Sequence, residues 1–142
     1  MYTDGSCSGN PGPGGWAAVL LYGNYQKEVM GAEPETTNNR MELRAAIEGL
    51  TSLKEKCKVI LHTDSAYLYN AFTKGWLDNW QKNGWKTSGK KPVENKDLWE
   101  KLVQLSNKHY IIWKKVKGHS NNELNNLADK LCVEVRQKKY GV

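Results

Sequence analysis

A chain of 142 residues with 39% hydrophobic content, six Trp and seven Tyr is long and apolar enough for one packed domain spanning 1–142, which argues against a disordered chain. Its net charge of +6 at pH 7 points to a polyanionic partner, nucleic acid before a membrane surface. Three scattered cysteines, Cys7, Cys57 and Cys132, form no Cys-x-x-Cys pair, and no run approaches a membrane span, so neither a disulfide framework, a zinc ribbon nor a membrane protein is expected.

Taken in chain order, residues 1–3 form a strand stub running into Asp4-Gly5-Ser6. Residues 9–15, Gly-Asn-Pro-Gly-Pro-Gly-Gly, carry too much Gly and Pro for anything but a turn or loop. Residues 16–22 and 25–31 read as a hairpin about Gly23-Asn24. Over 39–53, Leu43, Ala46, Ile47, Leu50 and Leu53 recur at helical spacing. Residues 58–63 contain the buried-strand run Val59-Ile60-Leu61, 65–72 and 97–105 read as helices, and 109–116 as a strand. The final helix carries a stripe of Leu124, Leu127, Ala128, Leu131, Cys132 and Val135. Between the two middle helices, 74–91 interleaves lysines with tryptophans. This order predicts a three-layer α/β fold with a mixed sheet, because the hairpin rules out an all-parallel one. The absence of a signal-like start before Asp4, together with the unpaired thiols, predicts a cytoplasmic setting.

Four acids stand out. Asp4 and Asp64 each follow a Thr at the expected end of a strand, where open α/β sheets gather ligands. Glu42 lies in the first turn of the 39–53 helix, on the face of Ala45, Ala46 and Gly49, and Asp129 borders the apolar stripe of the last helix. Each has a plainer reading. Asp4 and Asp64 suit turns or N-caps, Asn39 with Glu42 fits a capping box, and Asp129 suits a solvated helix edge. Should the four converge, two carboxylates ~4 Å apart repel by about 4 kcal/mol at an effective dielectric of ~20. Such a cluster must take up protons or hold hard dications such as Mg²⁺ or Mn²⁺.

The blocks Tyr-Thr-Asp-Gly-Ser (2–6), Gly-Asn-Pro-Gly-Pro-Gly-Gly (9–15), Thr-Thr-Asn-Asn-Arg-Met-Glu-Leu (36–43), Thr-Asp-Ser (63–65), Val-Lys-Gly-His (116–119) and Asp129 together resemble type 1 ribonuclease H of the bacterial kind, in that family's order and across nearly the whole chain. The resemblance implies a mixed five-stranded sheet flanked by helices and an endonuclease cutting the RNA strand of RNA–DNA hybrids, leaving 5′-phosphate and 3′-hydroxyl ends. It implies two Mg²⁺ ions, with Mn²⁺ as a substitute, held by Asp4, Glu42, Asp64 and Asp129, and it gives His119 a part in proton transfer or product release. His62 and His109, in or beside strands, read as structural.

For the substrate, the resemblance places Thr37, Asn38 and Asn39 along the minor groove and backbone. It brings Gly5, Ser6, Cys7 and the chain up to Asn10 near the RNA 2′-hydroxyls. Residues 74–91 become the family's basic protrusion, with Trp76, Trp80, Trp85, Lys86 and Thr87, and Asn95 beyond, lining a DNA channel and phosphate pocket. Within 74–91, five lysines face the single acid Asp78, which suits a nucleic-acid backbone. The i, i+4 spacing of Trp76 and Trp80 also suits packing against the body. A monomer without an obligatory protein partner is expected. Integrase-like transferases and 3′ exonucleases share the superfold but not the 116–119 block or the basic protrusion, and a non-catalytic hybrid binder has no need of all four acids.

Overall fold

The computed structural model describes residues 1–117 and 122–142. Its elements run β1 (Tyr2–Cys7), β2 (Gly12–Tyr22), β3 (Tyr25–Thr36), α1 (Asn38–Thr51), β4 (Lys58–Thr63), α2 (Ala66–Thr73), α3 (Trp76–Lys82), α4 (Lys96–Lys108), β5 (Tyr110–Lys115) and α5 (Glu123–Tyr140). The five strands form one sheet in the order β3-β2-β1-β4-β5. β1, β2 and β3 are antiparallel neighbours, whereas β4 runs parallel to both β1 and β5. The mixed sheet expected from the hairpin is therefore present.

Helices cover both faces. Successive strand residues point to opposite faces, and a side chain at Gly14 would meet Met41 of α1, while one at Gly15 would meet Val135 and Arg136 of α5. The larger core lies on the α1 face, where Leu43, Ile47 and Leu50 meet Val59 and Leu61 of β4 and Leu98, Trp99 and Leu102 of α4. On the other face Ala128 and Cys132 of α5 are fully buried, and α5 packs over β1, β2 and β3.

Three boundaries differ from the sequence expectation. Residues 12–15 are strand, not loop: Gly15 pairs with Ser6, Gly14 with Cys7, and the β3 register shifts between Gly12 and Gly14. The glycines are there because helices press on both faces; a Cβ on Gly15 would collide with the Cys132 carbonyl oxygen. β3 likewise continues past Gly31 to Thr36, its Pro34 tolerated because β3 is an edge strand. β1 continues to Cys7, so Asp4 lies within the strand rather than ending it.

The two strand-associated histidines are structural. His62 stacks on Tyr2 at 4.1 Å between ring centroids. His109 accepts the Cys57 N–H on Nδ1 at 3.1 Å, tying the end of α4 to the start of β4. Burial lowers the pKa of both imidazoles.

Candidate active site and substrate cleft

β1 and β4 pair only through Tyr2 and His62. Two residues further along each strand direction stand Asp4 and Asp64, side by side at the carboxyl end of the parallel pair. α1 delivers the third acid. Its N-cap is Thr37, whose Oγ1 accepts the Arg40 N–H at 3.2 Å. The Asn39–Glu42 capping box is therefore not formed, and Glu42 is free to turn inward, where it is buried. Gly5 permits this. A Cβ there would lie 2.5 Å from the Glu42 nitrogen and 2.8 Å from the Met41 Cβ, so only glycine lets the first turns of α1 rest directly on β1.

One carboxylate oxygen from each of Asp4, Glu42 and Asp64 falls within a 4.8 Å sphere of mutual distances, and a second group of the same tightness joins Asp4 with Asp129 and Cys132. Asp4 is thus common to both. The Cys132 thiol is a poor ligand: burial pushes its pKa upward, and Sγ donates to the Asp129 carbonyl at 3.1 Å. The donors that remain are all carboxylate oxygens, the set preferred by Mg²⁺ and Mn²⁺.

The electrostatics of the cluster follow from burial. Desolvation first, then the charges of Asp64 and Asp129, raise the Asp4 pKa to about 7, against the lowering effects of hydrogen bonds from Glu42 and the Gly5 N–H. Glu42 is pushed well above its usual range by burial and by the neighbouring Asp4 charge. Without a cation, burial and mutual repulsion favour the protonated form of both carboxyls. Glu42 Oε1 is buried with no hydrogen-bond partner, a costly state for a carboxylate oxygen. A dication held among these oxygens relieves both the repulsion and the orphaned acceptor, so the residues fit the metal that the sequence implies.

Gly5→Ala tests how α1 is seated. The added methyl forces α1 away from β1, and we expect a loss of roughly 1–3 kcal/mol in urea unfolding, together with weaker Mg²⁺ affinity in calorimetric titration. Unchanged metal affinity would show that the Gly5 contact does not position Glu42.

The expected substrate residues divide into two groups. Asn10, Thr37, Asn38, Asn39 and Asn95, with Glu94, line one open cleft of about 630 Å³ beside the N-terminus of α1. Asn10 Oδ1 accepts the Asn38 N–H at 3.0 Å, closing one wall. Ser6 and Cys7 instead turn their side chains inward. The Ser6 hydroxyl accepts from Arg136 Nη1 at 3.1 Å, and Cys7 Sγ faces the Thr36 and Gly12 carbonyls.

Trp76, Trp80 and Trp85 are half-buried against the core. Trp76 and Trp80 lie on the short α3, and Trp80 stacks at a tilt on Trp99, 5.6 Å between centroids. Beyond them, Lys86 pairs with Pro92, and the Thr87 hydroxyl accepts the Lys91 N–H at 3.3 Å. The basic stretch is thus a helix and a tight turn anchored by tryptophans, with its lysines outward. His119 lies outside the described residues.

Sequence reasoning missed Arg40 and Tyr67. Arg40 donates to Asn95 Oδ1 at 3.2 Å and forks onto Asp97 at 3.1 and 2.8 Å. Its guanidinium holds the Asp97 carboxyl below the usual range. No spacing signals such a link, because the partners lie 55 and 57 residues away.

A mixed 3-2-1-4-5 sheet with acids gathered at the carboxyl end of its central parallel pair defines the ribonuclease H-like class of nuclease folds. Within that class the chain belongs to the ribonuclease H family, whose model, RNase H, matches residues 1–137. Ribonuclease H of Caldanaerobacter subterraneus subsp. tengcongensis is 62% identical over 138 residues, covering 97% of this chain and 90% of the relative. That of Acetivibrio thermocellus is 60% identical, covering 97% and 94%. The crystal structure of LC9-RNase H1, described as a type 1 RNase H with the type 2 active-site motif, superposes with a TM-score of 0.85 at 35% identity, over 96% of this chain and 71% of that one. LC11-RNase H1, solved in complex with an RNA/DNA hybrid, shares the fold with a TM-score of 0.70 at 23% identity, over 97% and 96%.

Proposed function

We propose that this ribonuclease H cuts internally in the RNA strand of RNA–DNA hybrids, leaving 5′-phosphate and 3′-hydroxyl ends. The observation that carries the reading is the meeting of Asp4, Glu42 and Asp64 within 4.8 Å, with Asp129 beside Asp4. Two Mg²⁺ ions held by these four acids, or Mn²⁺ in their place, would activate the attacking water and offset charge on the leaving 3′ oxygen.

The chain's other groups hold and place the substrate. The cleft of Asn10, Thr37, Asn38, Asn39 and Asn95 offers amide and hydroxyl groups to the sugar–phosphate backbone beside the acids. Main-chain groups between Gly5 and Asn10 come near the RNA 2′-hydroxyl, which distinguishes the strand to be cut. The lysines of 74–91 neutralise phosphates of the DNA strand and release counterions, and Trp85, Lys86 and Thr87 set its path. His119 shuttles a proton or helps the product leave. Residues 1–142 act as a single domain and a monomer. No helix of the described residues is long and apolar enough to cross a membrane. All three cysteines are free thiols, which supports a cytoplasmic site of action.

The test is incubation with labelled hybrid, RNA duplex and DNA duplex, each with Mg²⁺ or EDTA, beside Asp64→Asn. We expect internal cuts in the RNA of the hybrid only, lost with EDTA and with the substitution. Hybrid binding without cleavage would make the chain a binding module, and cutting of DNA would place it among the transferases of the superfold.

A further inference from the structure

Tyr67 sits on α2, three residues after Asp64, with its ring half-buried against Trp99 of α4 at 5.1 Å between centroids. Its hydroxyl accepts two N–H groups, Trp99 Nε1 at 3.1 Å and Asn95 Nδ2 at 3.2 Å. Asn95 is the residue that brings α4 to the substrate cleft, and it adopts the left-handed conformation, φ 61°, at the N-cap of that helix. Asn is among the few non-glycine residues that adopt it as single residues.

The orientation of the Asn95 amide is dictated by its partners. A guanidinium can only donate, so Arg40 must face Oδ1. The Tyr67 hydroxyl, in turn, takes one of the two Nδ2 hydrogens. The amide is therefore pinned from both ends, and its second Nδ2 hydrogen remains for a ligand in the cleft. Such a donor suits a phosphate oxygen. An amide turned over would present Oδ1 to the same oxygen and repel it.

We propose that Tyr67 is a positioning residue for the substrate: its hydroxyl fixes the Asn95 amide so that Nδ2 donates to a backbone phosphate of the bound hybrid. The proposal rests on the reading of the cleft as a hybrid-binding surface. It assigns Tyr67 no contact with the reacting atoms. Removing the hydroxyl should therefore act on KM through Asn95 and leave kcat largely intact.

The experiment compares the unsubstituted protein with Tyr67→Phe, Asn95→Ala and the double variant on a defined hybrid in Mg²⁺, at a temperature where thermal melts show all four folded. One lost hydrogen bond to an anion-binding donor corresponds to roughly a fivefold to tenfold rise in KM. We expect that rise for each single variant with kcat within about twofold, and no further rise in the double, because both act through the same amide. Additive effects, a fall in kcat with KM unchanged, or a KM that does not move in either single variant would overturn the proposal. If Tyr67→Phe does not fold, exchange of the Asn95 side-chain amide in the unsubstituted protein, followed by NMR, decides the matter. One slowly exchanging Nδ2 proton is expected, and exchange of both at the rate of a free amide would overturn it. Failure of the unsubstituted protein to cut hybrid would defeat the proposed function itself and is visible before any variant is made.

Discussion

Asp4→Asn is expected to reduce hybrid cleavage by at least about a thousandfold while making the metal-free protein more stable at pH 8. The first effect follows from the position of Asp4 as the carboxylate shared by both acidic groups. Its loss removes a donor from each, and a defect of that size corresponds to roughly 4 kcal/mol of transition-state stabilisation. The second effect follows from burial. In the metal-free fold the Asp4 pKa is raised to about 7, against roughly 3.9 in an unfolded chain. The native state therefore binds the proton more tightly. Stability is greatest below pH ~4, falls as the pH rises towards 7, and is level above that. At pH 8 the buried charge costs on the order of a few kcal/mol, and a neutral amide of the same shape avoids it.

Urea unfolding in EDTA at pH 5 and pH 8 reads this directly. The unsubstituted protein should lose stability between the two, and Asp4→Asn should lose less, keeping the share that comes from Glu42, whose pKa burial also raises. His62 and His109 act in the opposite sense, because their lowered pKa values cost stability as the pH falls below about 6.5. They are common to both proteins and cancel in the comparison. Saturating Mg²⁺ should restore the unsubstituted protein at pH 8 and do little for the variant. Equal pH dependence in the two proteins would mean that Asp4 is not the group that titrates.

Much of this arrangement was legible in the sequence because it rests on local signals. The apolar spacing in 39–53 and 124–135 marks helices wherever they pack, and the run Val59-Ile60-Leu61 marks a buried strand. The glycine run 9–15 misled for a physical reason. Glycine and proline favour turns when nothing else constrains them, yet at Gly14 and Gly15 the constraint is tertiary, two helices pressing on the sheet from opposite sides. Local propensity had no access to that. Glu42 shows the same limit. Its spacing from Asn39 suits a capping box, and only the Thr37 cap and the Gly5 contact leave it buried with Oε1 unpartnered. The acids themselves stood out through six sequence blocks in register, whereas the Arg40–Asn95–Tyr67 link, spanning separations of 55 and 28 residues, left no pattern to read.

Trp99→Ala is expected to cost about 3–5 kcal/mol. Trp99 is fully buried, and its ring meets Tyr67, Phe72 and Trp80, so it joins α4 to both α2 and α3. Truncation leaves a cavity that three aromatic neighbours cannot close without moving, and one of them, Trp80, belongs to the basic segment. Thermal melts should show a midpoint lower by roughly 10 °C or more. Kinetics well below that midpoint should show weaker hybrid binding as well, because α3 loses its seat through Trp80. Trp99→Phe separates the two contributions. It keeps most of the ring volume but not Nε1, so it should recover most of the stability while leaving the Tyr67 hydroxyl one donor short. A loss below about 1 kcal/mol for Trp99→Ala would show that the basic segment is held by its own turn, Thr87 to Lys91, rather than by the tryptophan cluster beneath it.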